Sequence, residues 1–295
     1  MTSIEDRIRA LPCWSGPIDI TPLPGGLSNA NYLVTDTDGR HVVRFGVDFP
    51  FHHVSRGREA MTAIAAYEAG FAPRVEYAAP GVLVTQYLGA KTYDAADVRA
   101  NSRRVARLMR LFHETMSRFV SGPGFMFWAF HVIRDYGRTL HAGHSRMVDR
   151  VPQFMQLADE LEATQTALPI VFGHNDLLPA NFLDDGDQLW LIDFEYAGFS
   201  TAMFDLAGVS SNAGFSAKQS SALLADYFGA SPAPEIIRAH AAMGVASLLR
   251  ETMWSMVSEL YLDAPGADYA AYTAENLTRL DAALDAYRSI YGNPA

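Results

Sequence analysis

The sequence predicts an α+β protein in two lobes: a small antiparallel sheet with one main helix over residues 1–88, and a larger, mostly helical part over residues 89–295. Three observations lead there. Short β-branched runs separated by turn signals crowd into residues 31–86, and apolar residues recur at helical spacing from residue 101 onward. Two further apolar runs, Pro169 to Phe172 and Leu189 to Ile192, each give way to a cluster of ionisable side chains.

The totals permit this. A chain of 295 residues is long enough for two lobes with a core each, and 49% hydrophobic with 19% charged residues is an ordinary globular balance. No run approaches the ~18 apolar residues of a membrane span. The opening stretch MTSIEDRIRALPCW carries acids and no long apolar segment, which argues against a secretory signal. A single cysteine, Cys13, excludes an intramolecular disulfide framework and a multi-cysteine metal site, as expected of a cytoplasmic protein. A net charge of −10 argues against nucleic acid as a partner and mildly favours a cationic ligand.

Taken in order, Ile4, Ile8 and Leu11 predict a short amphipathic helix stopped at Pro12, then irregular chain. Asn31 to Thr35 and His41 to Phe45 read as strands joined by a turn at Asp36 to Gly39. The loop before them, Gly25-Gly26-Leu27-Ser28-Asn29, suits phosphate: glycines let backbone N–H groups approach oxygens, and Ser28 and Asn29 add side-chain donors. Ala60, Ala63, Ile64 and Tyr67 give the segment around Glu59 a helical apolar face, ended by Gly70 and Pro73, while Arg58 and Glu68 read as surface charges. Arg74 to Tyr77 and Gly81 to Gln86 complete a sheet of about five strands, and the chain breaks from it near Gly89.

Beyond Gly89, Val105, Leu108, Met109, Phe112 and Met116 predict a helix over residues 101–119. Residues 120–150 are mixed, with a turn at SGPG, an aromatic run GFMFWAF and scattered charge. His131, His141 and His144 match no metal-binding spacing. Helices are expected at Gln153 to Thr166, from Phe204, at Ser216 to Phe228, at Ala233 to Tyr261 and at Thr273 to Tyr291.

The chemistry concentrates in VFGHNDLLPANFLDDGDQLWLIDFEY, Val171 to Tyr196. DDGD is a turn of solvated acids, so Asn181 to Leu183 and Gln188 to Ile192 form a hairpin that brings Asn181 and Asp193 to one end. Asp176 precedes them in a loop that Pro179 keeps out of helix. Two acids and an amide at strand ends suit phosphoryl transfer from a metal nucleotide. One acid orients the attacking hydroxyl, and the amide with the other acid holds Mg²⁺. His174-Asn175-Asp176, four residues, Asn181, then Asp193-Phe194-Glu195 follows the kinase order of a catalytic loop and a metal loop.

HNDLLPAN with IDFEYAG and FDLA resembles the aminoglycoside phosphotransferase and choline kinase superfamily, above all its choline/ethanolamine kinase branch. The resemblance implies a protein-kinase-like bilobal fold and an enzyme using ATP and Mg²⁺. Asp176, Asn181 and Asp193 would be catalytic, with Asn181, Asp193 and Glu195 as metal ligands. Arg44 stands where protein kinases carry a phosphate-binding lysine, a departure choline kinases share, and Glu59 is its expected partner. GGLSN resembles the family's nucleotide-covering loop, and the fold analogy makes Gln86 to Leu88 the hinge beside the adenine. His113 is expected to pack and hydrogen-bond, and Asp205 to support the catalytic loop.

The resemblance also implies the acceptor, a small cationic amino alcohol, most of all choline, with no nucleic acid or membrane partner. MWSMVSE resembles the helix whose tryptophans line the family's choline pocket, and Trp254 matches one of them. Glu251, one turn before it, stands where a second tryptophan is common. It either exchanges a wall for a charge or indicates a smaller hydrogen-bonding ammonium such as ethanolamine. Tyr269 aligns with a pocket tyrosine, and Tyr196 adjoins the catalytic acids. GVSSNAGFS lacks the acidic and aromatic residues of eukaryotic choline kinases. An aminoglycoside, thiamine or sugar kinase, or an inactive nucleotide-binding pseudokinase, are the alternatives.

Overall fold

The computed structural model describes residues 3–23, 30–263 and 267–294, so Ser28 and Asn29 of the expected phosphate loop lie outside the described residues. Helix α1 (Ile4–Arg9) is closed by a capping box between Ser3 and Asp6. An antiparallel sheet follows, made of β1 (Asp19–Leu23), β2 (Ala30–Thr35), β3 (Arg40–Phe45), β4 (Val75–Ala79) and β5 (Val82–Gln86), in the order β1-β2-β3-β5-β4. Strand β1 falls in chain that the sequence leaves irregular. It carries Pro22, which cannot donate to a ladder. The strand is nevertheless formed because it takes the sheet edge, paired only with β2.

Alternation on β3 decides what the sheet presents. Val43 and Phe45 join Ile8, Val34 and Val84 in a small core on one face, so Arg44 points to the other. There it meets α2 (Arg56–Glu68). The buried face of α2 is Glu59, Thr62, Ala63, Ala65 and Ala66, whereas Ile64 and Tyr67 are 38% and 42% exposed. The apolar face expected of Ile64 and Tyr67 is therefore corrected: small residues face inward because α2 lies close against its neighbours.

Turn chemistry fixes β2 to β3. Asp36 accepts from Ser15 N at 2.8 Å, Asp38 N at 2.8 Å, Gly39 N at 3.0 Å and His41 Nε2 at 2.9 Å. The Ser15 amide and then His41 hold its carboxyl well below the usual carboxylate range. A depressed folded-state pKa stabilises above the unfolded value and ceases to do so on acidification. Asp36→Ala should thus cost ~1–3 kcal/mol at pH 7, shrinking below about pH 4, as denaturant melts at both pH values would show.

The helical part begins with a strand, β6 (Lys91–Thr92), then α3 (Ala95–Ala100) and α4 (Ser102–Thr115). As the spacing predicts, α4 buries Val105, Leu108, Met109 and Phe112. The mixed stretch after it contains α5 (Ala129–Ala142), whose buried Phe130, Ile133, Tyr136 and Leu140 do recur at helical spacing, a signal that the reading of this stretch as mixed passes over. Next come α6 (Val151–Ala163), β7 (Ile170–Gly173), β8 (Phe182–Asp184), β9 (Leu189–Leu191) and β10 (Gly198–Thr201). Strand β10 returns antiparallel to β7, and β6 joins the edge of the β8–β9 hairpin. Then α7 (Ala202–Asn212), α8 (Ala217–Phe228), α9 (Pro234–Tyr261) and α10 (Tyr269–Tyr291) close the molecule. Helix α9 is the axis of the largest core, packed against α5, α6, α7 and α10.

Candidate active site

Strand β7 ends on a turn with a specific demand. A Cβ on Gly173 would sit 2.8 Å from Asn175 Oδ1 and 3.1 Å from Asp205 Oδ2, so only glycine fits. Asn175 takes a left-handed backbone (φ 61°), which asparagine tolerates. The amides of His174 and Asn175 then both point at Asp205, donating at 2.8 and 2.7 Å, and His113 Nε2 donates to the same carboxylate at 2.9 Å. Burial alone would raise the Asp205 carboxyl, but His113 and these donors hold it below its ordinary value. The expectations for His113 and Asp205 match this geometry.

The turn delivers Asp176, half-buried, to the wall of a small cavity beside α7 and α9. Asn181 Nδ2 donates to the Asp176 carbonyl at 2.8 Å, leaving the amide oxygen for another partner. The Asn181 carbonyl in turn accepts from Ile192 N at 3.2 Å, one residue before Asp193. His174 Nε2 donates to the Ile192 carbonyl at 2.9 Å, joining both loops from below. Asp176, Asn181 and Asp193 are thus gathered at one end of the hairpin. Asn181 and Asp193 offer hard oxygen atoms at adjoining loop ends, the donor type Mg²⁺ takes, so these side chains fit that ion. No cluster of three or more His, Cys, Asp or Glu side chains fit to hold a metal occurs among the described residues.

Arg44 and Glu59 meet as expected, with Nη1 donating to Glu59 Oε1 at 2.5 Å. The sequence did not indicate that Arg44 also grips Asp193 with both nitrogens, at 2.7 and 2.8 Å. Nor did it indicate Arg56, whose Nη1 bridges Glu59 at 2.6 Å and Glu195 at 3.0 Å. Burial would raise Asp193, and Arg44 overrides it. Glu195 is raised by burial and by Asp193 against the pull of Arg44 and Arg56. Arg58 is no plain surface charge either: it lies 3.8 Å over the Phe125 ring and donates to the carbonyls of His53 and Glu195. Asp184 likewise is more than a turn residue, since it accepts from Tyr93 and Arg104. At the expected hinge, the Gln86 amide is engaged with the Arg74 carbonyl at 2.8 Å, and Leu88 is half-buried just beyond it.

The expected acceptor residues pack against one another. Trp254 Nε1 donates to Tyr196 Oη at 2.9 Å, and Tyr269 meets the Trp254 ring edge-to-face at 6.2 Å. Glu251 accepts from Tyr272 Oη at 2.7 Å and from Arg250 Nη1 at 3.0 Å. Tyr272 and Arg250 were not foreseen. Tyr272 had a signal, its place one turn after Tyr269 in ADYAAY. Arg250 had none: it is 4% exposed, and its guanidinium lies 4.4 Å over the Tyr196 ring. Burial pushes the Asp176 carboxyl well up, Arg250 opposes, and Asp193, Glu251 and Glu195 push it further. A carboxylate so raised is a better proton acceptor than an exposed one.

Comparison with known proteins decides the family. The model of the family described as "Phosphotransferase enzyme family" matches residues 19–240. The chain belongs to that family. This phosphotransferase is similar to Protein LicA of Haemophilus influenzae, at 26% identity over 273 residues, covering 88% of this chain and 77% of LicA. Among solved structures it resembles a choline/ethanolamine kinase family protein from Mesorhizobium loti, with TM-score 0.74 and 28% identity over 97% of this chain and 95% of that one. It also shares the fold of choline kinase LicA from Streptococcus pneumoniae, with TM-score 0.73 and 19% identity over 95% and 98% of the two chains. The phosphotransferase therefore has the kinase-like bilobal fold anticipated from its motifs, and no helix among the described residues is long and apolar enough to cross a membrane.

Proposed function

We propose that this phosphotransferase moves the γ-phosphoryl group of ATP to the hydroxyl of a small cationic amino alcohol, choline first and ethanolamine second. The reading rests on one juxtaposition: Asp176, beside the Asn181 side chain, shares a cavity with Arg250 and Glu251, and Arg250 lies over the Tyr196 ring to which Trp254 donates. The family and the choline/ethanolamine kinase relative support it.

Asp176 would accept the hydroxyl proton as the oxygen attacks the γ-phosphorus and the bond to the ADP oxygen breaks. Asn181 and Asp193 would hold Mg²⁺, with Glu195 behind them, and that ion supplies neutralisation of the phosphate charge. Arg44, held by Glu59, would turn from Asp193 towards the α and β phosphates, and Ser28 with Asn29 would cover them. Gln86 to Leu88 would border the adenine. Trp254, Tyr196 and Tyr269 would face the ammonium group, with Glu251 adding charge. Such transfer in a soluble, cytoplasmic enzyme needs positioning and charge more than covalent help.

One observation favours ethanolamine as the second reading. Arg250 covers one face of Tyr196, and His52 stacks on Trp254 at 4.9 Å, so fewer ring faces remain for a trimethylammonium group. Coupled ADP release with choline, ethanolamine, thiamine, a sugar and two aminoglycosides tests the reading. Intact ATP with every acceptor would overturn it. Asp193→Ala is expected to lose the Mg²⁺-dependent part of nucleotide binding, which calorimetric titrations with and without Mg²⁺ measure directly.

A further inference from the structure

The cavity that Asp176 shares with α7 and α9 is small. The cavity lined by Asp176, Gly208, Leu248, Arg250 and Glu251 offers about 20 Å³, room for about one water molecule. A second cavity of about 270 Å³ lies along the same seam, walled by α7, α8, α9 and α10. Leu248, itself buried, belongs to the walls of both. Gly244, Leu248 and Glu251 are spaced four and three apart, so they form one stripe of α9 leading from the larger cavity to the reacting end.

Two glycines mark this seam. Gly208 in α7 lines the small cavity and Gly244 in α9 lines the large one. Glycine inside a helix destabilises it relative to alanine. Neither position needs the sacrifice for packing, because a Cβ at Gly208 or Gly244 would meet nothing within 4 Å, and neither has a positive φ. What the missing side chains provide is room. A separate observation marks the reacting end: Arg250 is buried there, and its Nε and Nη2 have no hydrogen-bond partner among the described residues. Those N–H groups await an oxygen.

From these features we infer that the acceptor site continues from the Tyr196, Glu251 and Trp254 group into a slot along the α7–α9 seam, partitioned by the side chain of Leu248. The phosphotransferase then takes amino alcohols whose nitrogen bears an extended apolar substituent, lodged in the larger cavity. The hydroxyl lies at Asp176 with its oxygen near Arg250, and the apolar chain runs past Leu248 towards Gly244. The inference rests on the proposed role of Asp176 and adds the class of substituent.

The test compares choline with its N-butyl and N-hexyl homologues as acceptors, by kcat/KM from coupled ADP release. Gly244→Leu fills the far end and should cut the hexyl-to-choline ratio by at least roughly ten-fold, while Leu248→Ala should raise it. A ratio unmoved by both substitutions overturns the slot. Gly244→Ala provides a control for folding: it should melt about 2 °C higher while lowering the same ratio, a trade of function for stability. If the wild-type protein phosphorylates no acceptor, the reading of its activity fails, and calorimetric binding of the hexyl homologue still decides the slot. Binding to wild type that is lost in Gly244→Leu supports it; absent or equal binding overturns it.

Discussion

Asp176→Ala is expected to lower kcat by about 10²–10⁴-fold while nucleotide binding is largely kept. Among the described residues the carboxylate makes no hydrogen bond or ion pair that holds the loop; the link between Asp176 and Asn181 runs through the backbone carbonyl, which the substitution leaves in place. The loss should therefore appear in the chemical step rather than in folding or ATP affinity. Steady-state rates with the best acceptor, alongside calorimetric titration of the nucleotide, separate the two. Activity within a few-fold of wild type would remove Asp176 from the mechanism. Asp176→Asn, similar in shape but without the negative charge, should be nearly as impaired.

Asp205→Ala should be the most damaging substitution for stability. Three donors converge on that buried carboxylate, from His113, His174 and Asn175, and all would be left unsatisfied. The cost should be about 3–5 kcal/mol at neutral pH, a fall in melting temperature on the order of 10 °C. The Asp205 carboxyl is held below its ordinary value, so its contribution is present above about pH 4 and is lost as pH falls through the folded-state value. Wild type and variant should accordingly converge in acid, as melts across pH would record. Equal melting temperatures at pH 7 would show that the turn after β7 is held by something other than this carboxylate.

Much of the site could be read from spacing, because a catalytic loop and a metal loop are local in sequence. Asp176, Asn181 and Asp193 lie within one hairpin and the turn before it, so a short stretch of chain specifies their proximity. Arg44 and Glu59 were within reach for a similar reason, one strand and one helix apart. What stayed hidden depends on distant packing. Arg56 reaches Glu195 across 139 residues, and Arg250 reaches Tyr196 from the middle of α9. A buried arginine leaves no periodic trace, because its position follows the helix face while its chemistry contradicts the pattern. Among elements, α5 was legible from apolar residues at helical spacing but passed over beside the aromatic run, while β1 was obscured by a proline that only an edge strand accepts.

The small hairpin sheet has a mechanical consequence. Leu191 N donates to the Phe71 carbonyl at 2.8 Å, and Tyr93 N donates to the Phe182 carbonyl at 3.0 Å, so the β8–β9 hairpin is fastened at two points to chain flanking the five-stranded sheet. The C-terminal end of α2 cannot swing away without breaking the first fastening. Any tilt of α2 that kept this bond would pivot near Phe71 and would part Arg56 from Glu195 at the other end of the helix.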